Sequence, residues 1–228
     1  MQLSIIIPAF NEEANIVATL APLQPMRARR VEVIVVDGGS TDRTREAALA
    51  LCDHVLSAPT GRALQMNSGA TIAKGEVLLF LHADSQLPAD ADRLITESIT
   101  VFGRIWGRFD VSIAGQHFFL PVVAWFMNWR SWLTSIATGD QGLFMRTDIF
   151  KRLGGFPSIP LMEDVAMTTR LKQLGPPVCL GERILTSGRR WETHGVWRTI
   201  LLMWRLRLAY FFGADPHALH RAYYGKRC

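Results

Sequence analysis

Three short apolar runs dominate what this chain can fold into: Leu3-Ser4-Ile5-Ile6-Ile7, Val31-Glu32-Val33-Ile34-Val35-Val36 and Val77-Leu78-Leu79-Phe80-Leu81. Short, nearly continuous runs of this kind read as strands covered on both faces, as in the middle of a parallel sheet. Each run ends in a polar tip: Pro8-Ala9-Phe10-Asn11-Glu12, Asp37-Gly38-Gly39-Ser40-Thr41-Asp42 and His82-Ala83-Asp84-Ser85. In open α/β sheets ligands bind just beyond the carboxyl ends of the strands, so these tips are where chemistry is expected. Between the runs the pattern turns helical. Asn11 can cap a helix from Glu12 to about Leu20, with Glu12 and Glu13 in its first turn and Pro22 and Pro25 closing it. A second helix opens at Thr41 or Asp42 and runs through about Leu51, Asp53–Leu56 reads as a third strand, and Gly61–Ala70 and Asp90–Phe102 read as helices. Arg62, Gln65 and Gly69 fall roughly on one side of the first of these. The alternation predicts a doubly wound, mostly parallel sheet.

The second half changes character. Phe109–Ile113, Gly142–Arg146 and a short Val178–Leu180 read as strands; Asp148–Leu153 and Glu163 to about Leu174 read as helices, with a Gly154-Gly155-Phe156-Pro157 turn between them. Phe118–Trp132 is rich in aromatics but is interrupted by Pro121, Asn128 and Arg130, and falls short of the ~20 apolar residues that span a bilayer. Val196–Phe212 is helical, apolar nearly all round and studded with Arg198, Arg205 and Arg207. With no strongly polar face, it reads as a core or dimer helix ahead of one resting on a membrane interface. His217 and His220 are expected on a solvated face, and Gly225–Cys228 as a frayed tail.

A chain of 228 residues is one large domain or one and a half, and 49% hydrophobic against 20% charged residues suits a sizeable core. The net charge of +5 and pI near 9.5 suit anionic partners such as nucleotides, phosphates or an anionic membrane surface. Nucleic acid is not indicated, because the basic residues are scattered and no zinc-finger spacing or RNA-binding aromatic motif is present. Cys52, Cys179 and Cys228 are far apart and odd in number, which gives no disulfide framework or zinc motif and points to a reducing cytoplasm. Met1-Gln2 leads straight into the first apolar run, so no signal peptide is expected.

Several polar tips carry two readings. Asp84 is either the ligand of a divalent cation that carries a phosphorylated substrate, or a solvated turn residue capping the helix after Pro88. His82 either joins it, as an imidazole tolerated by Mn²⁺, or tucks under the sheet. Asp37 at its strand tip can accept hydrogen bonds from a base or sugar, while Ser40, Thr41 and Asp42 read first as a well-made strand-to-helix turn. That turn lacks the Gly-Lys-Ser/Thr of a P-loop. Glu163-Asp164 offers a general base or simply favours a helix dipole. Thr138-Gly139-Asp140-Gln141-Gly142 is a loop suited to a hydroxylated ligand or an ordinary connection. Arg189-Arg190-Trp191 with His194 can meet phosphate and stack a ring, or form a surface cluster.

Together these segments resemble the family 2 glycosyltransferases, whose fold is the GT-A nucleotide-diphospho-sugar transferase fold. Ser4–Glu12 is similar to the family's opening strand and loop, and Val33–Asp42 to its Val-Val-Asp-x-Gly-Ser-x-Asp segment. Asn67, Gly69, Ala70 and Gly75-Glu76 resemble the stretch leading to the metal motif, whose place is taken by His82-Ala83-Asp84-Ser85. Glu163-Asp164 matches the acidic pair whose Asp serves as base. The match covers roughly the first 175 residues. Gly61-Arg62-Ala63 and Thr138–Gly142 are similar to a small bacterial subgroup linked to arsenosugar biosynthesis. Two positions depart: His82 replaces the first Asp of the metal motif, and Ser187 holds the Gln position of the Gln-x-x-Arg-Trp motif, of which Arg190-Trp191 stands.

The resemblance implies a GT-A domain over 1–190, with a nucleotide-binding half (1–102) and an acceptor-binding half (103–190), and a helical extension over 191–228. It implies transfer from a nucleotide-diphospho-sugar to the hydroxyl of a small-molecule or lipid-linked acceptor, inverting and dependent on Mn²⁺ or Mg²⁺. Pro8, Ala9, Asn11, Glu12, Asp37, Gly38, Arg62, Asn67, Ala83 and Asp84 would bind the donor. Gly139, Asp140, Gln141, Arg190 and Trp191 would line the acceptor side. Asp84, with His82 and His194, would hold metal. Asp164 with Glu163 would catalyse. The setting implied is cytoplasmic, at most at the inner face of the membrane, with membrane contact or a homodimer through 196–212. The alternative is a nucleotide-sugar-binding or interaction module with a degenerate metal site.

Overall fold

A computed structural model describes residues 1–225; Cys228 and the last residues of the expected frayed tail lie outside the described residues. The strands are β1 (Leu3–Ala9), β2 (Glu32–Asp37), β3 (His54–Ser57), β4 (Val77–Phe80), β5 (Ser85–Gln86), β6 (Trp106–Ala114), β7 (Leu143–Arg146) and β8 (Val178–Ser187). They form one sheet in the order β3-β2-β1-β4-β7-β6-β8-β5. The β3-β2-β1-β4 half is parallel, as expected. The other half is mixed: β7 runs antiparallel to both β4 and β6, β6 is parallel to β8, and β5 is antiparallel to β8.

The apolar runs give strands covered on both faces because their alternate side chains enter two different cores. Ile5, Ile7, Val33, Val35, Val77 and Leu79 belong to one, and Ile6, Ile34, Val36, Leu78 and Phe80 to the other. Helices α1 (Glu13–Leu20), α2 (Gln24–Ala28), α3 (Thr44–Leu49), α4 (Arg62–Ile72) and α5 (Ala91–Thr100) belong to the first half. Helices α6 (Leu120–Thr134), α7 (Thr147–Arg152), α8 (Glu163–Leu174), α9 (Arg189–His194), α10 (Val196–Phe211) and α11 (Pro216–Tyr224) belong to the second.

Local differences from the sequence reading have identifiable causes. Pro8 lies inside β1: Ile6 O accepts from Leu81 N on the β4 side, and the β4 register ends there, so the donor missing at Pro8 costs no ladder bond. Pro22 and Pro25 sit in the first turns of a 3₁₀ turn and of α2, where a missing N–H is harmless, so they start helical turns as α1 ends. Asn11 does not cap α1. It adopts φ 52°, donates its N–H to Ser40 Oγ (2.9 Å) and accepts from Thr41 N (2.9 Å), sewing the two tips together. Asp42 bonds Thr44 N (3.0 Å) and Glu13 N (3.1 Å) without standing at the cap position of α3, which is Arg43. Asp84 caps nothing: α5 begins after Asp90. β8 is far longer than Val178–Leu180, because exposed Gly181, Glu182 and Arg183 break the apolar run at a register shift opposite Phe109 and Asp110.

Gln65 fixes α4 against the sheet. Buried at 3% exposure, it donates through Nε2 to both Ala9 O and Val36 O at 2.8 Å, the ends of two adjacent parallel strands. Gln65→Leu conserves volume and removes both donors; a stability loss of about 1–3 kcal/mol is expected in urea unfolding, the cost of stranding buried carbonyls.

Candidate functional site

Strand order reverses between β1 and β4, and the tips of β1, β2 and β4 open at this switch point. Pro8 and Ala9 end β1, and Ala9 O is taken by Gln65 and by Gly38 N (2.9 Å). Asp37 is 2% exposed, and its carboxylate accepts from the N–H of Gly39 and Ser40 at 3.2 Å. A Cβ at Gly38 would lie 3.1 Å from the Gln65 amide, so that position stays bare. Glu12 accepts from Asn15 (2.6 Å) and from Arg189 (3.0 Å), a bond spanning most of the chain. Ala83 is buried, with its carbonyl accepting from Thr19 (2.7 Å).

Opposite these tips stands the start of α8. Met162 precedes it at φ 70°, rare for a residue with a Cβ, and that turn presents Glu163 and Asp164. Asp164 accepts from Gly139 N at 2.8 Å and from Val165 N at 2.7 Å. Glu163, its side chain 4% exposed, pairs with Arg62 Nε at 3.2 Å, while its Oε2 has no partner among the described residues. Burial raises the Glu163 carboxyl above its usual value against the pull of Arg62. Burial works to lower Arg62; Glu163, Tyr224 and Asp164 outweigh it and hold the guanidinium above the usual arginine range. His82 lies in the same cluster, its Nε2 where a Cβ on Gly139 would come within 2.5 Å. Burial, then Arg62, push His82 down to about 4, against Asp84 and Asp164. Its imidazole is therefore neutral at neutral pH, the form that ligates metal.

The remaining sequence-derived residues divide. Asp140 is brought in beside Asp164, with Oδ1 buried and without a partner among the described residues, and its carboxyl raised by burial first and by Asp164 in addition. Gln141 is fully buried in a capping box with Thr138, so its amide is engaged in holding the loop. Asn67 bonds both backbone groups of Phe156 at 2.9 Å, which ties up its amide in the Gly155-Phe156 turn. Trp191 packs on Leu120, Val123 and Val196. Arg190 lies 3.5 Å over the Tyr223 ring and donates to Tyr223 O at 3.0 Å. His194 Nδ1 rests 3.3 Å from Arg190 O in an adjoining cleft of about 250 Å³. Among the described residues no three His, Cys, Asp or Glu side chains form a metal-holding group, so His194 does not complete one with His82 and Asp84. One carboxylate beside one neutral imidazole does fit a cation whose other ligands are diphosphate oxygens and water.

The sequence reading did not place four residues in this cluster. Arg130 and Arg207 each bury an Nη2 that has no partner among the described residues; burial and then Arg207 lower Arg130 to about 10, with Asp140 and Asp164 opposing. Burial and then Asp164 raise Tyr210, and Tyr223 faces Arg190, Arg62 and Asp140. The signal was an arginine inside each apolar helix: Arg130, the one arginine of α6, and Arg207, which shares α10 with the exposed Arg198 and Arg205.

The family model for glycosyl transferase family 2 matches residues 4–154. The chain belongs to that family. A probable glycosyltransferase, YdaM of Bacillus subtilis, is 25% identical over 90% of this chain and 53% of its own length. A PGL/p-HBAD biosynthesis glycosyltransferase of Mycobacterium bovis is 36% identical over 40% of this chain and 38% of its own. The chain thus spans about half the length of these curated relatives, or less. Among solved structures, the Pyrobaculum calidifontis mannosyltransferase PcManGT, in complex with GDP-Man and Mn²⁺, superposes with TM-score 0.66 over 98% of this chain and 70% of that one at 20% identity. Staphylococcus aureus TarS with UDP gives 0.67 over 82% and 60% at 20% identity. These neighbours show the GT-A fold.

Arg62→Met leaves Glu163 buried and unpaired. A folded-state carboxyl raised above the 4.5 of the unfolded chain binds extra protons, so the variant loses stability as pH rises through and above that value. Unfolding free energies from urea titration are expected to agree with wild type near pH 4 and to be lower by about 2–3 kcal/mol at pH 7.5. That is less than the ~3–5 kcal/mol for breaking a fully buried pair, because the Arg62 side chain is 34% exposed.

Proposed function

We propose that this family member transfers a sugar from a nucleoside-diphosphate donor to an acceptor hydroxyl, with inversion at the anomeric carbon. The observation that carries the reading is Asp164: its carboxylate is aimed by two backbone N–H groups and shares one cluster with Arg62, His82 and Asp84 at the switch point of the sheet. The GDP-Man and UDP complexes of the structural neighbours support a nucleoside-diphosphate-bearing donor.

In this reading Pro8, Ala9, Asn11, Glu12, Asp37 and Gly38 frame the nucleoside, with Asp37 accepting from the base. Arg62 meets the diphosphate, and Glu163 holds its guanidinium in place. Asp84, with His82 beside it, would hold a Mn²⁺ or Mg²⁺ ion, which supplies neutralising charge for the leaving diphosphate. Asp164 takes the proton of the acceptor hydroxyl as that oxygen forms its bond to the anomeric carbon. The bond from that carbon to the phosphate oxygen breaks, and the electron pair leaves on the nucleoside diphosphate beside Arg62. Asp140, Arg130 and Arg207 flank the acceptor side. Residues 1–102 serve the donor and 103–190 the acceptor, and a helical extension begins at residue 191. Gly61-Arg62-Ala63 and Thr138–Gly142 support a place near the arsenosugar-biosynthesis-type subgroup.

Asp164→Asn is expected to lower transfer by at least ~100-fold, the scale of a lost general base, with donor affinity by calorimetry unchanged; normal turnover would remove Asp164 as base. Nucleoside diphosphates with Mn²⁺ are expected to raise the unfolding midpoint of wild type but not of Asp84→Ala. The lone carboxylate at the β4 tip favours, as second reading, a nucleotide-sugar-binding module without chemistry. Sustained donor turnover by the purified chain excludes it.

A further inference from the structure

Helix α10 buries only Val196, Thr199 and Leu206. Trp197, Leu201, Trp204, Leu208 and Phe211 are 60–82% exposed. Their spacing of four, three, four and three residues aligns them in one stripe along the helix, opposite the buried side. Helix α6 repeats the arrangement, with Trp125, Phe126, Trp129, Trp132 and Leu133 exposed over buried Leu120, Val123 and Ala124. The helices are neighbours: Leu120, Val123 and Val196 share one cluster, and the Phe119 and Trp197 rings meet at 4.9 Å. Exposed apolar side chains are normal singly, but not in stripes on adjacent helices.

The charges identify the occupant. Neither helix contains an Asp or Glu. Exposed Arg198 and Arg205 run along one flank of the α10 stripe. The composition, Trp with Leu and Phe on one face and arginine at its edge, is that of a helix lying in the headgroup region of a bilayer. A second copy of the chain would bring the same acid-free, arginine-edged surface against itself, with like charges facing. No helix of the described residues is long and apolar enough to cross a membrane, so the stripes lie on the surface rather than through it.

We infer that the outer faces of α6 and α10 form a docking surface for an anionic phospholipid bilayer, with the indoles at headgroup depth and the arginines on lipid phosphates. This reverses the sequence-based preference for a core or dimer helix, because α10 packs on one narrow side only.

The test is flotation of the full chain with vesicles of phosphatidylcholine and phosphatidylglycerol in equal parts, beside pure phosphatidylcholine. Wild type is expected to float with the anionic vesicles, at least tenfold less with the neutral ones, and less in high salt. Trp204→Glu with Leu208→Glu alters only exposed positions. It is expected to keep the wild-type circular dichroism and unfolding midpoint, and to remain with the unbound protein. Wild type that fails to float, or a folded double variant that floats equally well, overturns the inference. So does a wild-type dimer by light scattering that becomes monomeric in the double variant, which would assign the surface to a second copy. Flotation requires neither donor nor turnover, so its outcome is separate from that of the transferase reading.

Discussion

Everything in this molecule is arranged around the need to cover β4 on both faces and pair it on both edges. Val77 and Leu79 enter one core, Leu78 and Phe80 the other. One edge is taken in parallel by β1 and the other antiparallel by β7. Four consecutive apolar side chains in water would cost several kcal/mol, roughly 1.5–3 each, so the strand depends on cover from both halves of the chain. The polar tip that follows is thereby held between the two halves, and this is why His82 faces groups from α4 and α8 alike.

The charges at that junction tolerate burial because they are mutually arranged. Arg62 comes from the first half and Glu163 from the second, and their contact joins α4 to α8, which pack into the same core. Gly139 N reaches Asp164 from a third segment. Behind them, Leu161 and Met162 pack with Leu206 of α10 and Leu219 of α11, so the C-terminal helices brace the left-handed turn from which α8 starts. The same two helices carry Arg207, Tyr210 and Tyr223 toward the cluster. A chain lacking them would leave the turn at Met162 without its apolar support.

Much of the parallel half was legible because local chemistry and tertiary demand agree there. Short, nearly continuous apolar runs marked β1, β2 and β4, and a glycine-rich turn at Asp37 marked the link to α3. Asn11 was read as a helix cap, and Asn11 and Asn67 as donor-binding residues, but neither was legible as a clamp. Each spends its amide on a backbone segment of another loop, and sequence spacing carries no information about which loop arrives. β8 was underread for a related reason: its middle is exposed and polar, and a strand near the sheet edge is defined by its partner, not by its own hydrophobic pattern.

What the sequence by itself determined is the identity of β1, β2 and β4, their polar tips and the family, because these follow from patterns within a few consecutive residues. Tertiary structure alone decided that the sheet turns mixed after β4, that Arg130 and Arg207 bury their guanidinium groups beside Asp140 and Asp164, and that one side of α10 is left without protein cover. An apolar helix with scattered arginines reads the same whether packed or exposed. Which side meets protein depends on how far the neighbouring helices reach, and that is set by the packing of the whole domain.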